Sequence, residues 1–176
     1  MRALSVFGRL IQDPASYLLL AAVLIVAVLV MQYGFGYLPC ELCYWQRYPY
    51  YALLAVGLLY LAGRLAGRAG PQWDRAMLLL AGVAFLASGA IGVYHAGVEW
   101  HWWRGLSQCS GMTDLPADPE AIMAMLGRTK IVPCDEPALL ILGLSLAAWN
   151  AAIGVVVGLT ALIQGVRRRE REEKRG

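Results

Sequence analysis

Four cysteines are the residues of this sequence best suited to chemistry, and their spacing separates two kinds of pair. Cys40 and Cys43 form a C-x-x-C motif, whereas Cys109 and Cys134 stand far apart in the chain. Four cysteines allow three disulfide pairings. A bridge within the motif would restrain the unfolded chain by only about 2 kcal/mol, against roughly 3.5 kcal/mol for Cys109 with Cys134. The motif is therefore a weak structural link but suits electron exchange, while the longer pair is compatible with a structural or a redox role.

A metal centre is the competing use of the same thiols. Zinc sites built from four cysteines often show two close C-x-x-C pairs, but this sequence has one. Haem attachment is disfavoured because no histidine follows the motif directly, and the chain has only two histidines, His95 and His101. We therefore predict no metal site.

The elements that must position these cysteines are membrane helices. Of the 176 residues, 59% are hydrophobic and 15% are charged, against about 25% charged in soluble domains. Four windows contain no Asp, Glu, Lys or Arg, and a span needs about 20 apolar residues. A cleavable signal peptide is disfavoured for the first window, because no small-residue cleavage pattern follows it. The sequence predicts an all-α integral membrane protein, a four-transmembrane-helix bundle forming one domain, with spans at about 15–36, 44–63, 76–96 and 138–164.

The basic residues predict the orientation of this bundle. Most of the 15 Lys and Arg residues fall in the N-terminus, in the loop between the second and third spans, and in the tail at 167–176. Such residues are retained in the cytoplasm, so we expect both termini there. The loops at about 37–43 and 97–137, which carry all four cysteines, then lie outside, where disulfides persist. The net charge of +3 does not indicate a nucleic-acid partner, because no groove-reading module is present.

The second span places an arginine beside the C-x-x-C motif. The span reaches about 20 residues if its helix begins near Tyr44, and Cys43 then lies at the helix N-terminus, which stabilises a thiolate. Arg47 follows one turn later on the same face. It could hold a thiolate or a polar ligand oxygen, or it could only extend its head to the lipid headgroups.

Other features of the spans and loops predict packing and membrane contact. Residues 118–127 have the cap and stop signals of a short helix, whose apolar side chains suit the membrane surface. Trp100, Trp102 and Trp103 suit an interfacial aromatic belt or the lining of a ligand site. In the last span, Asn150 favours an interhelical hydrogen bond beside a stripe of small residues that permits close helix packing: Ala147, Ala151, Gly154 and Gly158.

Several of these segments together resemble a known family. The run from Leu38 to Arg47, LPCELCYWQR, the YHAGVE sequence that begins at Tyr94, and Cys134 with the two acidic residues after it are similar to the disulfide bond formation protein B family. The resemblance extends along nearly the whole chain and is least informative in the tail. It implies a four-helix protein of the bacterial inner membrane. Such a protein reoxidises a periplasmic thioredoxin-fold dithiol oxidase (DsbA-like) and passes the electrons to ubiquinone or menaquinone in the membrane.

The resemblance also implies roles for individual residues. Cys109 and Cys134 would form the disulfide that exchanges with the partner, and Cys40 and Cys43 would form the quinone-coupled pair. Arg47 would stabilise negative charge on the quinone or on a sulfur. His95, at the outer end of the third span, could donate to a quinone oxygen or relay protons, with Glu99 one turn later. Equally, His95 could be an interfacial residue that bonds a carbonyl.

Two other functions stay open. A quinone-linked thiol reductase of the vitamin K epoxide reductase type would use the same parts with the opposite electron flow, because direction depends on reduction potentials. A non-enzymatic membrane subunit would use its disulfides only to brace its loops.

Overall fold

A computed structural model of the protein describes residues 11–106, 118, 130–131 and 133–173. The described part contains four long helices joined by short strands and loops. The helices are α1 (Pro14–Leu29, continued by a π-helical turn at Val30–Gly34), α2 (Glu41–Leu65), α3 (Pro71–Glu99) and α4 (Leu146–Glu173). The strands are β1 (Tyr37–Leu38), β2 (Lys130–Ile131), β3 (Leu140–Ile141) and β4 (Leu144–Ser145).

The N-terminus of α2 differs from the sequence expectation and changes the setting of the cysteines. The helix begins at Glu41, about one turn earlier than expected, with Cys40 as its N-cap residue. The Cys40 side chain accepts a hydrogen bond from the Cys43 backbone N–H, which satisfies a group that a helix start otherwise leaves unpaired. Pro49 lies within the helix.

The start of α4 also differs, because a hairpin occupies the segment before it. Strands β3 and β4 pair in antiparallel fashion, and Leu142 and Gly143 between them have positive φ values of 53° and 81°. Two positive φ values in succession suit a tight two-residue hairpin turn. The helix therefore begins at Leu146 rather than near residue 138.

Small residues allow α3 and α4 to approach closely, as the stripe in the last span predicted. A Cβ added at Gly154 would lie 2.6 Å from the Gly89 Cα, and one added at Gly92 would lie 2.9 Å from the Ala151 backbone nitrogen. The backbones of the two helices are thus in direct contact. The main core cluster lies beside this contact and includes Tyr17, Leu18, Tyr50, Leu53, Leu78 and Phe85.

Three of the described helices are long and apolar enough to cross a membrane: Pro14–Gly34, Pro71–Glu99 and Leu146–Glu170. They confirm an all-helical membrane protein. Helix α2 is long enough at 25 residues but carries charged residues within it, and its membrane crossing stays a prediction. The short helix expected at 118–127 lies outside the described residues except for Asp118.

The second loop is connected to the first by main-chain pairing. Strand β1 pairs with β2 in parallel, with Tyr37 opposite Lys130 and Leu38 opposite Ile131. Cys40 follows β1 and Cys134 follows β2 by only a few residues. The pairing therefore brings a cysteine of each loop to the same end of the bundle.

Candidate functional site

The C-x-x-C motif lies at the N-terminus of α2 as two free thiols. The Cys40 thiol donates to the Cys43 sulfur at 3.0 Å, and the Cys43 N–H donates to the Cys40 sulfur at 3.4 Å. Cys40 is buried. The hydrogen bond to Cys43 and burial together raise the pKa of the Cys40 thiol, while the neighbouring His95 acts to lower it. The two sulfurs are thus close enough for exchange, and Cys40 favours the protonated form.

His95 reaches the same sulfur from α3. Its Nε2 lies 3.6 Å from the Cys40 sulfur and 3.9 Å from a carboxylate oxygen of Glu99. Its Nδ1 lies 2.8 Å from the Gln46 side-chain nitrogen. Ser145 donates a hydrogen bond to the other Glu99 oxygen. His95 is 3% exposed, so its side chain is buried among these partners.

Behind His95, a buried network of neutral polar groups joins three helices. The Asn150 side-chain nitrogen donates to the Gln46 side-chain oxygen at 2.8 Å and to the Ser88 hydroxyl at 3.0 Å. Tyr50 donates to the Asn150 oxygen at 3.0 Å, and Ser88 donates to the Gln46 backbone carbonyl at 2.8 Å. The predicted interhelical role of Asn150 is confirmed.

Arg47 points its guanidinium into the bundle. The side chain is 8% exposed, donates to the Gln32 side-chain oxygen at 2.7 Å, and lies over the Tyr44 ring with its central carbon 5.2 Å from the ring centroid. An arginine that only extended its head to the headgroups would be exposed at the end of the helix. Arg47 instead presents a charge inside the protein, beside the motif.

A cavity of about 400 Å³ opens next to these residues. Its walls are mainly aliphatic side chains of α1 and α4, and its polar groups come from all four helices and include Gln32, Cys43, Gln46, Arg47, His95 and Asn150. Apolar walls with a few convergent polar groups are typical of small-molecule sites. Cys43 lines the cavity, whereas Cys40 does not, so the two thiols face different surroundings.

Cys134 lies on the Cys40 side of the motif. It is disulfide-bonded and 1% exposed, and it packs in one buried cluster with Cys40, Leu42 and Val98. Cys109 lies outside the described residues, so its predicted role stays a prediction. The described structure therefore brings Cys40, Cys43, Arg47, His95 and Cys134 to one end of the bundle.

Sequence reasoning left Gln32, Gln46 and Ser145 without a role in the site. Gln46 lies within the LPCELCYWQR run, and Gln32 is a polar residue in a charge-free window. Polar side chains at membrane depth usually face the protein interior, and this signal could have identified both. Ser145 had no comparable signal, because its position depends on the β3–β4 hairpin.

Three side chains at the site have metal-ligand chemistry. Ligand atoms of Cys40, Cys43 and His95 all lie within 4.8 Å of one another. Thiolate and imidazole are ligands that Zn²⁺ accepts, but among the described residues the group has three members rather than the four of a closed structural site. The prediction of no metal stays a prediction.

The tryptophans after α3 form an aromatic cluster next to the site. Trp103 stacks on Tyr94 with 5.9 Å between ring centroids, and its indole N–H donates to the Tyr94 carbonyl at 2.8 Å. Trp100 and Trp102 are exposed. The proposed membrane belt and the alternative ligand-lining role both stay predictions.

The chain is similar to one known family over most of its length. The family model described as Disulfide bond formation protein DsbB matches residues 14–164, most of the chain. The chain belongs to the DsbB family. Among curated relatives, Disulfide bond formation protein B of Cupriavidus necator is 28% identical over 166 residues, which cover 88% of this chain and 93% of the relative. The corresponding protein of Cupriavidus metallidurans is 29% identical over 165 residues, covering 87% and 93%.

A further relative has no assigned activity. An uncharacterized protein of Rickettsia prowazekii is 31% identical over 132 residues, which cover 72% of this chain and 70% of the relative. No solved structure matches the chain. DsbB-family membership makes this a protein of disulfide bond formation, and the matched segment contains the whole C-x-x-C site.

Proposed function

We propose that this DsbB-family protein is a membrane protein-dithiol:quinone oxidoreductase. It would reoxidise a periplasmic thioredoxin-fold disulfide oxidase and pass the electrons to ubiquinone or menaquinone. The observation that carries the proposal is the asymmetry of the C-x-x-C pair: Cys43 lines the apolar cavity, whereas Cys40 packs beside the disulfide-bonded Cys134. Cys43 thus borders a space for a small acceptor, and Cys40 shares a buried cluster with a cysteine of the second loop.

The cavity residues fit a quinone. A quinone ring and its isoprenoid tail are apolar, with two carbonyl oxygens as the polar points. The cavity pairs aliphatic walls with the cationic Arg47 and the amide of Gln32, and His95 also lines it. A bound quinone would accept two electrons and two protons for each disulfide made. The volume of about 400 Å³ lies within the range of small-molecule sites.

The exchange steps need no oxidant other than the quinone. A thiolate of the reduced partner attacks Cys109 of the Cys109–Cys134 disulfide, forming a mixed disulfide and releasing Cys134. The second partner thiol then displaces Cys109, so the partner leaves as a disulfide. The Cys134 thiolate attacks Cys40 of the Cys40–Cys43 disulfide and releases Cys43, and Cys109 displaces Cys40 to restore the second-loop disulfide.

The remaining residues hold charge near the reduced pair. After exchange, Cys43 would carry a thiolate against the cavity that it lines, one turn before Arg47 on the same helix. The positive end of α2 and the guanidinium both stabilise negative charge there. His95 lies beside Cys40 and is suited to donate a hydrogen bond to that sulfur when it becomes anionic.

The proposed location is the bacterial inner membrane, with four spans and both termini in the cytoplasm. The support is the excess of Lys and Arg at the termini and between α2 and α3. Cys40, Cys43 and Cys134 lie at the opposite end of the helices, which corresponds to the periplasmic side in this orientation and gives the partner access.

The decisive experiment mixes the purified protein anaerobically with a reduced thioredoxin-fold dithiol and ubiquinone, following the quinone absorbance. We expect one quinone consumed per partner disulfide formed, and no consumption by a Cys43→Ala variant. A partner carrying only its attacking cysteine should form a reductant-sensitive adduct, which a Cys109→Ala variant should not form.

Other outcomes point to the alternatives. If the protein instead uses a quinol to reduce the partner disulfide, it is a reductase. If neither direction proceeds, and the disulfides are unaffected by partner and quinone, they only brace the loops.

A further inference from the structure

The side-chain amide of Gln46 contacts a histidine, one backbone carbonyl and the side-chain amide of Asn150. Its nitrogen donates to the Leu42 carbonyl at 3.2 Å and lies 2.8 Å from His95 Nδ1. Its oxygen accepts from the Asn150 nitrogen at 2.8 Å. Both hydrogens of the Gln46 amide are therefore used, one on a carbonyl and one on the imidazole ring.

Fixed acceptors determine which way both amides face. The Asn150 nitrogen approaches the Ser88 backbone carbonyl at 3.2 Å, and a carbonyl can only accept. Reversing Asn150 would place oxygen against oxygen there. Reversing the Gln46 amide would place its oxygen against the Leu42 carbonyl oxygen. It would also place the Gln46 nitrogen against the Asn150 nitrogen. The Leu42 and Ser88 carbonyls, fixed in α2 and α3, thus hold the two amides in one orientation.

The orientation of Gln46 determines the tautomer of His95. A neutral imidazole has one donor and one acceptor nitrogen. Because Gln46 presents an N–H to Nδ1, Nδ1 must accept, and the ring hydrogen lies on Nε2. That hydrogen faces the Cys40 sulfur at 3.6 Å, a shorter separation than the 3.9 Å to Glu99.

We propose that Gln46, oriented by Asn150, is a positioning residue that holds His95 in the Nε2–H tautomer, so that His95 donates toward the Cys40 sulfur. The role in turnover rests on the function proposed above, whereas the tautomer does not. The Nε2–H group would stabilise the Cys40 sulfur when exchange releases it as a thiolate. Burial disfavours that thiolate, and the hydrogen bond from His95 opposes this. In this tautomer Nε2 has no lone pair for a metal ion, so the arrangement favours a hydrogen-bond role for His95 over metal ligation.

The tautomer can be measured directly by nitrogen NMR on protein containing ¹⁵N-labelled histidine. A His101→Asn background leaves His95 as the single histidine, and Asn tolerates the positive φ of 57° at that position. At mildly alkaline pH we expect Nε2 protonated and Nδ1 unprotonated. In Gln46→Met, which keeps the side-chain length but has no N–H, we expect both tautomers to be populated.

Kinetics on the same variants separate positioning from binding. For Gln46→Met we expect the kcat for quinone reduction to fall about threefold to tenfold, from the partial loss of one hydrogen bond to a charged sulfur. A raised KM for quinone with an unchanged kcat would contradict the proposal, because Gln46 would then act only by lining the cavity. Gln164→Met is the matched control, because Gln164 is a similarly buried glutamine of α4 far from the site. It should alter neither the tautomer nor kcat.

Clear results would overturn the proposal. Nδ1 protonation in the parent protein, or an unchanged tautomer in Gln46→Met, contradicts it whatever the quinone assay shows. If Gln46→Met does not fold, Asn150→Leu replaces it. This variant keeps Gln46 and its contact with the Leu42 carbonyl but frees the Gln46 oxygen, so we expect a partial shift toward the other tautomer, and an unchanged tautomer there contradicts the orienting role of Asn150. Absence of quinone reduction by the parent protein contradicts the proposed function and leaves the tautomer result to stand alone.

Discussion

Polar residues from all four helices meet at both ends of the helix bundle, but hydrogen bonds hold one end together and ion pairs hold the other. At the cysteine end, Gln32, Gln46, Arg47, His95 and Asn150 are mostly buried, and most of the contacts are between neutral groups. At the other end, Asp13 pairs with Arg64 and Asp74 pairs with Arg168, each at 2.7 Å. Tyr60 joins the two pairs by donating to Asp74 at 2.6 Å and accepting from Arg64 at 3.1 Å.

Exposure explains why one end suits chemistry and the other suits anchoring. The Arg64 and Asp13 side chains are 42% and 41% exposed, and ion pairs in water contribute little to stability and tolerate movement. A buried polar network must instead satisfy every donor and acceptor, which gives it one arrangement. None of the described buried side-chain nitrogen and oxygen atoms lacks a partner. Precise geometry is therefore expected at the cysteine end and tolerance at the ion-pair end.

The largest effect is expected when the arginine at the cysteine end of α2 is substituted, with the arginine at the other end of the helix as the comparison. Arg47→Met should slow quinone reduction by roughly one to two powers of ten, since a charge-assisted hydrogen bond contributes about 1.5 to 3 kcal/mol. Arg47→Lys should have a smaller effect, because it keeps the charge but loses the planar donors. Steady-state quinone absorbance measures both, and adduct formation with the single-cysteine partner should survive.

The matched substitution is Arg64→Met, at the ion-pair end of the same helix. We expect quinone reduction close to that of the unchanged protein. Normal turnover by folded Arg47→Met, or an equal loss in both variants, would remove the distinction between the two ends.

A middle-sized effect is expected where α3 and α4 touch between the two ends. Gly154→Ala would place a Cβ 2.6 Å from the Gly89 Cα, and overpacking of this kind costs about 1 to 3 kcal/mol. Gly63→Ala in α2 is the control, because nothing lies within 4 Å of its added Cβ, and the alanine should stabilise the helix by up to about 1 kcal/mol. Unfolding in detergent measures both, and equal stability of the two variants would contradict the close packing.

The smallest effect is expected at the ion-pair end itself. Burial acts to raise the pKa of the Asp13 carboxyl, but hydrogen bonds from Arg64 and the Ala15 N–H outweigh it, so the pKa is lowered. A lowered carboxyl pKa contributes stability above the unfolded-state value of about 3.9 and loses it as the pH falls through the folded-state value. Asp13→Asn should therefore destabilise by under about 1 kcal/mol at neutral pH, with the difference from the unchanged protein vanishing in acid. A constant difference down to strongly acidic pH would show that the carboxylate charge is not the cause.

Composition and local pattern alone determined the membrane class, the long helices and the chemistry-bearing residues. Charge-free windows marked where helices lie because hydrocarbon excludes charged groups, and the small-residue stripe marked the α3–α4 contact. The LPCELCYWQR run, the YHAGVE sequence and the segment at Cys134 together indicated the family. Each of these signals resides in consecutive or periodically spaced residues, so it is readable without knowing how distant segments meet.

Only the tertiary structure decided how the site is assembled. Helix α2 begins at Glu41 because Cys40 caps it, and α4 begins at Leu146 because a hairpin precedes it. Helix ends of this kind are hard to predict from sequence, because local conformations of similar energy compete there. Two partners of Gln46, His95 and Asn150, lie on other helices. No spacing in the sequence indicates that the Asn150 amide of α4, itself held by the Ser88 carbonyl of α3, will help to orient it. The direction of a hydrogen bond is set by where fixed donors and acceptors meet in space, so the chemistry of His95 at Cys40 emerges only when three helices pack together.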